Sequence, residues 1–410
     1  MHIGLLSFRI AGTDGVSLEA ERWKLILQRM GHQVTMIAGE LDRKGILIPT
    51  LHFNEPLMYC IEKKAVKEKV CFKKLQKKVY RLAGKIEEDL KEIFTKFKFD
   101  RLVIANALSL PINFSLGIAL TKTINDLKIS TLSRNHDFWW ERERFLNMTP
   151  CWINFLQKYF PPPKNPLIKH ITINSLACKE FKKQAGLKSA IIGDSFDFND
   201  SFDKKMIYAK YWKKDFGIKP KDIVFLQATR IVPRKQIELS IELAARLSNP
   251  KIVLVLAGYS GDEGNGYLHH LQNLAKKYKI RARFIGDRIS ARNSFKNNRR
   301  IYTLWDCFTN CDFVTYPSRV EGFGNQFVEA VYFKKPILVN RYEVFKADIE
   351  PLGFKTVSIN GKITNDSVRQ VKKILKNKKL KDSMVEENFE IARKHFSFES
   401  TQEKLSKLGF

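Results

Sequence analysis

The chain has 410 residues, 44% of them hydrophobic and 12% aromatic, which is enough for two domains with packed cores. Its formal net charge of +29 at pH 7 favours an anionic partner (a nucleic acid, a membrane surface or a small substrate) or a lysine-rich surface that contacts only water. It has neither zinc-finger spacing nor the aromatic signature of RNA-binding domains, so we expect no nucleic-acid partner.

Hydropathy and cysteine usage predict a cytoplasmic protein. No apolar run approaches the roughly 18–20 residues that a membrane-spanning helix needs, and residues 1–6 predict a short strand rather than a signal peptide. The six cysteines are scattered. Cys307 and Cys311 stand one helical turn apart with no histidine or further cysteine nearby, so we expect core thiols and no metal site. A reducing compartment is the default for such a pattern.

The first forty residues predict a parallel strand–helix–strand unit. The strands are expected at His2–Phe8 and Gln33–Ala38, and the helix at Val16–Met30. The loop between the first strand and the helix contains Gly12 and Gly15, at the helix N-terminus where a phosphate or substrate group can bind. The loop lacks a Gly-x-Gly-x-x-Gly pattern, so a dinucleotide cofactor is not predicted.

A long amphipathic helix is predicted from Lys63 to Phe99, with a strongly basic first half. A surface helix that packs its apolar face on the sheet explains this pattern. The alternative is peripheral contact with an anionic membrane, such as the inner membrane face. The apolar face lacks tryptophans and the second half turns acidic at Glu87–Asp89, which favours the surface helix.

A histidine and an aspartate follow a later buried strand. Ile129–Ser133 predicts this strand, and His136 and Asp137 stand just beyond its carboxyl end, where open α/β sheets bind ligands. Arg142 and Arg144 come next and have the right chemistry to clamp an anionic acceptor. An ordinary helix with its charges facing water explains the two arginines equally well.

A cationic turn follows the first strand of the second domain. That strand is predicted at Ile223–Ala228, after a linker and helix at Asn199–Lys214. Arg230 and Lys235 stand five residues apart, between the strand end and the next helix. A diphosphate at this position would receive two cations and a helix N-terminus.

The segment 316–330 carries two glutamates eight residues apart. It follows a predicted buried strand at Phe313–Thr315 and leads into a helix. Glu321 stands in a loop with Gly322 and Gly324, whereas Glu329 lies inside the helix. A carboxylate beside a helix start is well placed to accept hydrogen bonds from sugar hydroxyls. The alternative is an ordinary strand–loop–helix connection.

Two motifs together resemble the signature of the retaining GT-B glycosyltransferases of family 4. They are the Pro-Ser and Glu-Gly-Phe-Gly sequence of 317–324 with its second glutamate, and the arginine–lysine pair. The resemblance spans essentially the whole chain. It implies two Rossmann-like α/β domains that face each other across a cleft. It places Glu321 near the transferred sugar, Glu329 at the ribose, and Arg230 and Lys235 at the donor diphosphate.

The resemblance also assigns the remaining site residues. His136 would contact the donor sugar and act in catalysis with Glu321, Arg230 and Lys235. Further donor contacts are expected from Gly15, Gly322, Phe323, Gly324 and Asn325. The acceptor contacts are expected from Gly12, Thr13, Asp14, Asp137, Arg142 and Arg144. The domains would be 1–198 on the acceptor side, 199–390 for the nucleotide sugar, and a terminal helix, 391–410, that crosses back to the first domain.

Two segments depart from the family pattern. Gly193 and Asp194 stand where Pro-Asn is usual at the crossover between the domains. Asn340, Arg341 and Tyr342 stand where many relatives have a Gly-Gly pair, which predicts a specialised loop.

The resemblance implies transfer of a hexose from a GDP- or UDP-linked sugar, with retention, to a small anionic or polyol acceptor of the glycerate type. The nucleotide sugar is then a co-substrate, and no other cofactor and no metal is expected. Three alternatives remain: a membrane-surface glycosyltransferase with a lipid acceptor, a retaining phosphorylase, and a non-catalytic protein that binds nucleic acid.

Overall fold

The computed structural model of the protein describes residues 1–12, 15–65, 72–200, 207–260 and 264–410. These residues form two compact units, one of 1–193 with 401–410 and one of 194–400. The division between the units lies after Gly193, whereas the sequence predicted it after Phe198. The last ten residues belong to the first unit.

The first unit is built on a seven-stranded parallel sheet with the strand order β3-β2-β1-β4-β5-β6-β7. Its strands are β1 (His2–Ser7), β2 (Gln33–Ala38), β3 (Ile46–Leu47), β4 (Arg101–Ala105), β5 (Ser130–Asn135), β6 (Ile168–Thr172) and β7 (Ser189–Ile191). Its helices are α1 (Gly15–Arg29), α2 (Pro56–Ala65), α3 (Phe72–Phe97), α4 (Phe114–Leu127), α5 (Glu143–Leu146), α6 (Pro150–Tyr159) and α7 (Ser175–Ala185).

The sheet forms because its central strands are apolar on both faces. Ile3, Leu5 and Leu6 of β1 are almost completely buried, as expected for a parallel strand covered by helices on both sides. On α3, the apolar residues Ile86 and Leu90 recur one turn apart and join the core against α4. The sequence predicted one helix over 63–99; α2 and α3 lie on either side of residues 66–71, which are outside the described residues.

The second unit has a six-stranded parallel sheet with the strand order β10-β9-β8-β13-β14-β15. Its strands are β8 (Ile223–Gln227), β9 (Ile252–Leu256), β10 (Arg281–Phe284), β13 (Phe313–Tyr316), β14 (Ile337–Asn340) and β15 (Val357–Ile359). Its helices are α8 (Ala209–Asp215), α9 (Ile237–Leu247), α10 (Gly266–Lys277), α11 (Leu304–Asn310), α12 (Asn325–Tyr332), α13 (Asn365–Lys376) and α14 (Lys378–Phe396), and the terminal helix α15 is Phe398–Lys407. The predicted fold class, two Rossmann-like α/β domains, is confirmed.

The polar and basic segment after β10 forms a hairpin. β11 (Ser294–Lys296) and β12 (Arg299–Ile301) pair antiparallel. Asn297 and Asn298 form the turn with φ values of 49° and 59°. Positive φ at both positions is the geometry of a tight hairpin turn, and asparagine tolerates it better than most residues.

Two glycines bring the loops at the carboxyl edge of the second sheet close together. A Cβ on Gly258, after β9, would lie 1.6 Å from the Thr229 carbonyl oxygen, and one on Gly286 would lie 2.1 Å from the Gly258 carbonyl oxygen. The Ile231 N–H also donates to the Tyr259 carbonyl oxygen at 2.9 Å. The loops after β8, β9 and β10 therefore pack backbone against backbone.

Among the helices of the described residues, none is both long enough and apolar enough to cross a membrane.

Candidate active site

A lysine–glutamate pair joins two loops at the carboxyl edge of the second sheet. Lys235 lies in the turn between β8 and α9, and Glu321 lies in the loop between β13 and α12. The Lys235 ammonium donates a hydrogen bond to the Glu321 carboxylate. The two side chains are only 8% and 10% exposed. Because β8 and β13 are neighbours in the sheet, the two motifs meet although 86 residues separate them.

Further cations surround this pair. Arg234 Nη1 lies 3.6 Å from Glu321 Oε2, and Arg230 is exposed nearby. Burial lowers the pKa of Lys235, the Glu321 carboxylate opposes this shift, and the two arginines add to it. Three basic side chains around one carboxylate suit a ligand with more than one negative charge.

Two buried tyrosines hold the Glu321 loop. The Tyr316 hydroxyl is hydrogen-bonded to the Glu321 carboxylate, and the Tyr342 hydroxyl donates to the Phe323 carbonyl oxygen at 2.8 Å. The two rings meet edge to face with centroids 6.0 Å apart. Burial raises the pKa of both phenols well above the usual value, and the nearby carboxylate raises it further. Both phenols therefore stay protonated and able to donate.

Gly324 makes room for this arrangement. A Cβ at Gly324 would lie 2.2 Å from the Tyr342 hydroxyl oxygen. Its φ of +126° is also one that other residues rarely adopt. Gly324 stands at the N-cap of α12, so its conformation sets where this helix begins.

The other predicted donor residues lie along the same loop and helix. Gly322 is exposed, and the buried Phe323 packs edge to face on Phe396 at 5.3 Å between ring centroids. Asn325 begins α12, and Glu329 lies one turn further along, partly exposed.

A buried polar network ties the strands beneath these loops. The Gln227 side chain at the end of β8 donates to the Thr229 hydroxyl at 2.7 Å and accepts from the Thr315 hydroxyl of β13 at 3.0 Å. The Gln326 side chain of α12 donates to the Thr315 carbonyl oxygen at 3.3 Å. These bonds fix β8, β13 and α12 relative to one another and so restrain the loops that carry Lys235 and Glu321.

His136 follows β5 in the first unit. Its N–H donates to the Asn106 side chain at 2.7 Å, which orients the residue at the strand end. Burial lowers the pKa of His136 well below its usual value, and the Arg134 guanidinium lowers it further. The imidazole is therefore neutral at physiological pH, a state in which one ring nitrogen donates and the other accepts.

A buried ion pair connects β5 to α1 next to His136. Arg134 Nη2 lies 3.1 Å from Glu19 Oε2, and the two side chains are 3% and 1% exposed. Arg22 Nη1 contacts the other Glu19 oxygen at 2.5 Å. The Arg134 guanidinium also lies over the Trp23 ring, 4.8 Å from its centroid. Paired and hydrogen-bonded in this way, the charges are tolerated in the core.

The residues expected at an acceptor are in part engaged with one another. Arg142 Nη2 lies 2.5 Å from Asp137 Oδ1, so these two predicted residues form an ion pair. The Arg144 guanidinium lies over the Phe145 ring at 4.7 Å. Both arginines are exposed.

The glycine loop before α1 is held by the next loop along the sheet. The Gly12 N–H donates to Asp42 Oδ2 at 2.8 Å, and Gly12 has a φ of +72°. This bond and the Arg43 side chain lower the Asp42 pKa to about 2, with the Arg43 bond the larger cause. Gly15 begins α1 and is exposed. Thr13 and Asp14 lie outside the described residues.

Sequence reasoning located Lys235, Glu321 and His136 but missed the residues that surround each of them within its own unit. The sequence indicates a site role for Arg234 through its position next to Lys235. It indicates one for Tyr342 less directly, because Tyr342 stands where many relatives have glycine. Glu19 had none, because its partner Arg134 is 115 residues away.

Among the residues that the structure describes, no group of three or more histidine, cysteine, aspartate or glutamate side chains is arranged to hold a metal ion.

Comparison with known proteins identifies a family. A family model described as "Glycosyl transferases group 1" matches residues 209–390. The mannosylglucosylglycerate synthase of Petrotoga mobilis is 34% identical over 397 residues, covering 88% of this chain and 87% of that protein. The mannosylglucosylglycerate synthase of Thermotoga maritima is 32% identical over 446 aligned positions, covering 99% of both.

Solved structures share the fold at low sequence identity. Anabaena HepE in complex with UDP and glucose gives a TM-score of 0.65 at 14% identity, covering 100% of this chain and 99% of that one. The sucrose-phosphate synthase of Thermosynechococcus elongatus gives 0.64 at 13% identity, covering 99% and 98%. Because the two mannosylglucosylglycerate synthases exceed 30% identity over most of their length, the chain belongs to their family, the group 1 glycosyl transferases, and is a glycosyltransferase.

Proposed function

We propose that this glycosyltransferase moves a hexosyl group from a nucleotide sugar, GDP- or UDP-linked, to a small hydroxylated acceptor of the glycerate type, with retention at the anomeric carbon. The two relatives that match the chain over most of its length are both named for such a product, a mannosylglucosylglycerate. The observation that carries the proposal is the contact of Lys235 with Glu321 beside two further arginines, in a chain of that family.

The donor binds through its diphosphate. Lys235, Arg230 and Arg234 supply positive charge at the carboxyl edge of the second sheet. The N-terminus of α12 adds backbone N–H groups and a favourable dipole. Glu329, one turn into that helix, accepts hydrogen bonds from the ribose hydroxyls. HepE, which shares the fold, was solved with UDP, and this supports a nucleotide donor.

Transfer breaks the bond between the anomeric carbon and the diphosphate oxygen and forms one to an acceptor oxygen on the same face of the sugar. Negative charge grows on the departing diphosphate, and the Lys235 ammonium stabilises it. The acceptor proton passes to an oxygen of that leaving group. Glu321 accepts hydrogen bonds from hydroxyls of the transferred sugar, and the neutral His136 contacts that sugar without adding a charge. This route uses basic side chains where other transferases use a metal ion.

The acceptor is small and carries a carboxylate. Arg142 and Arg144 are exposed cations whose charge suits it, and Asp137 orients the first of them at 2.5 Å. We favour this acceptor over a lipid because both relatives are named for a product built on glycerate.

The first test is a thermal-shift panel of UDP, GDP, ADP and their hexose conjugates, with inorganic phosphate as the control. A ligand at about 100 times its dissociation constant stabilises the native state by about 2.7 kcal/mol, which is a readily measured shift. We expect one nucleotide and its conjugates to raise the melting temperature. The responding donor is then incubated with glycerate and glucosylglycerate, and the anomeric configuration of the product is read by NMR. No response to any nucleotide, or an inverted product, would contradict the proposal.

Removing the Tyr316 hydroxyl should slow transfer without unfolding the protein. Tyr316→Phe keeps the buried ring and deletes one hydrogen bond to the Glu321 carboxylate. Hydrogen bonds to charged groups contribute about 1.5–3 kcal/mol, so we expect kcat to fall about ten- to a hundredfold. Nucleoside diphosphate affinity, measured by calorimetry, should stay the same.

The matched control for this change is Tyr332→Phe. Tyr332 is also fully buried, and its hydroxyl donates to the Asp200 carbonyl oxygen at 3.0 Å, away from Glu321. The Tyr332→Phe variant should leave kcat unchanged. Equal losses of kcat in the two variants would assign the effect to general stability and would remove the role of Tyr316.

A further inference from the structure

The segment that follows β14 is anchored to the Glu321 loop at two points. Because β14 and β13 are neighbours in the sheet, the loops after them lie side by side. The Asn340 side chain donates to the Ser318 carbonyl oxygen at 3.0 Å. The Tyr342 hydroxyl donates to the Phe323 carbonyl oxygen at 2.8 Å. The two bonds therefore restrain the Glu321 loop on both sides of the carboxylate.

Tyr342 is itself held in place from several directions. It is 2% exposed, and its ring meets the Phe345 ring with centroids 5.8 Å apart. Its N–H donates to the Asn340 carbonyl oxygen at 2.9 Å, and its carbonyl oxygen accepts from the Lys346 N–H at 3.0 Å. Asn340 is fixed in turn, because its side-chain oxygen accepts from the Gly361 N–H at 2.8 Å. The Tyr342 hydroxyl is therefore a donor at a fixed position.

The Tyr342 hydrogen bond sets the direction of the Phe323–Gly324 peptide. A trans peptide is planar, and its C=O and N–H groups point in opposite directions. Because the Phe323 carbonyl oxygen points at the buried Tyr342 hydroxyl, the Gly324 N–H points away from that ring. Gly324 is buried, yet within the described part of the chain no group accepts a hydrogen bond from its N–H. A ligand oxygen would supply the missing acceptor.

The opposite direction of this peptide would relieve the backbone of Gly324. The observed φ of 126° and ψ of 55° lie outside the left-handed helical region, in which φ is about +50° to +70°. Turning the peptide over changes φ of the following residue by about 180°. Gly324 would then have a negative φ typical of a helix, at the residue that precedes α12. Local backbone preference therefore does not select the observed direction, and the bond from Tyr342 does.

We propose that Tyr342 is a positioning residue for the donor: its hydroxyl holds the Phe323–Gly324 peptide so that the Gly324 N–H faces the bound nucleotide sugar. The inference rests on the proposed function and deepens it, because the N-terminus of α12 belongs to the proposed diphosphate site. Without the hydroxyl, the peptide can turn over and present its carbonyl oxygen instead. That oxygen would repel the phosphate oxygens that the N–H attracts.

Tyr342→Phe tests the inference in catalysis, since it keeps the buried ring and removes only the hydroxyl. We expect kcat/KM for the donor to fall about tenfold, the usual effect of losing one hydrogen bond, with KM for the acceptor unchanged. Tyr332→Phe is again the matched control, because the Tyr332 hydroxyl also donates to a backbone carbonyl oxygen, that of Asp200. Equal losses of kcat/KM in the two variants would assign the effect to general stability and overturn the positioning role.

The peptide can also be observed directly. Among the 21 glycines of the chain, only Gly217 and Gly324 follow a phenylalanine. Phenylalanine with ¹³C at its carbonyl and glycine with ¹⁵N therefore label two peptide bonds, and Phe216→Leu identifies the signal of the control, Gly217. We expect UDP or GDP, whichever raises the melting temperature, to shift the Gly324 amide proton downfield in the wild type and to leave the Gly217 signal in place. In Tyr342→Phe the Gly324 response should be lost.

These measurements separate the inference from the proposed reaction. If the wild type transfers no hexose but its Gly324 signal responds to a nucleotide and that of Tyr342→Phe does not, the positioning role stands and the proposed reaction falls. If transfer proceeds while Tyr342→Phe keeps the wild-type kcat/KM or the wild-type Gly324 response, the positioning role falls and the proposed reaction stands. A wild-type Gly324 signal that ignores both nucleotides would also overturn the positioning role.

Discussion

Replacing Lys235 by alanine should abolish hexosyl transfer and leave the protein folded. The ammonium is the most buried of the three cations at the edge of the second sheet, so little water screens its interaction with a bound diphosphate. Loss of a single preorganised group that stabilises developing charge typically costs a factor of about 10²–10³ in kcat. We expect at least this loss, measured as kcat with the donor identified by thermal shift.

Two comparison variants test whether the loss of activity depends on the burial and the shape of the Lys235 cation. Arg234→Ala removes a cation that is 38% exposed and 3.6 Å from Glu321, and it should cost less because solvent screens it. Lys235→Arg keeps the charge but changes its shape, and it should recover part of the activity. Near-normal turnover of Lys235→Ala, in a protein that still binds the nucleotide, would remove Lys235 from the diphosphate site.

The second large effect is expected on stability, from the ion pair between α1 and β5. Glu19→Ala takes away a carboxylate that contacts both Arg134 and Arg22 in a region with almost no exposure. Breaking a buried pair by removing one partner is destabilising by about 3–5 kcal/mol. Urea denaturation should show this loss. Because the chain has two units, the shift should appear in the transition that belongs to the first unit.

Glu21→Ala on the same helix is the matched control. Glu21 is 32% exposed and contacts Arg43 at 3.0 Å, so its removal should cost less than about 1 kcal/mol. The double replacement Glu19→Met with Arg134→Met should recover much of the lost stability, since apolar side chains of similar size can replace a buried pair. A loss below about 1 kcal/mol for Glu19→Ala would show that the pair contributes little.

Local sequence patterns were sufficient for the fold. Apolar runs such as Arg101–Ala105 and Ile252–Leu256 became buried parallel strands because a strand covered on both faces needs uninterrupted apolar residues. The carboxyl ends of those strands then locate the loops that carry Lys235, Glu321 and His136.

The supporting contacts of the site could not be predicted, because they depend on how distant segments pack. Nothing near Tyr342 in the sequence indicates that its hydroxyl meets the Phe323 carbonyl, 19 residues away, in the space left by Gly324. The β11–β12 hairpin was missed for a different reason. Its strands have only three residues each and few apolar side chains, too short a stretch for alternation to be recognised.

The contact between Lys235 and Glu321 has a consequence for product release. On the proposed mechanism, the enzyme must release a nucleoside diphosphate after every turnover. A lysine whose only ionic partner was the phosphate would slow that release. Glu321 offers that lysine an alternative partner on the protein itself. Donor binding then exchanges one ionic contact for another, and departure reverses the exchange. On the proposed mechanism, we expect the Glu321 carboxylate to limit product inhibition, and we expect an enzyme without it to release its nucleoside diphosphate more slowly.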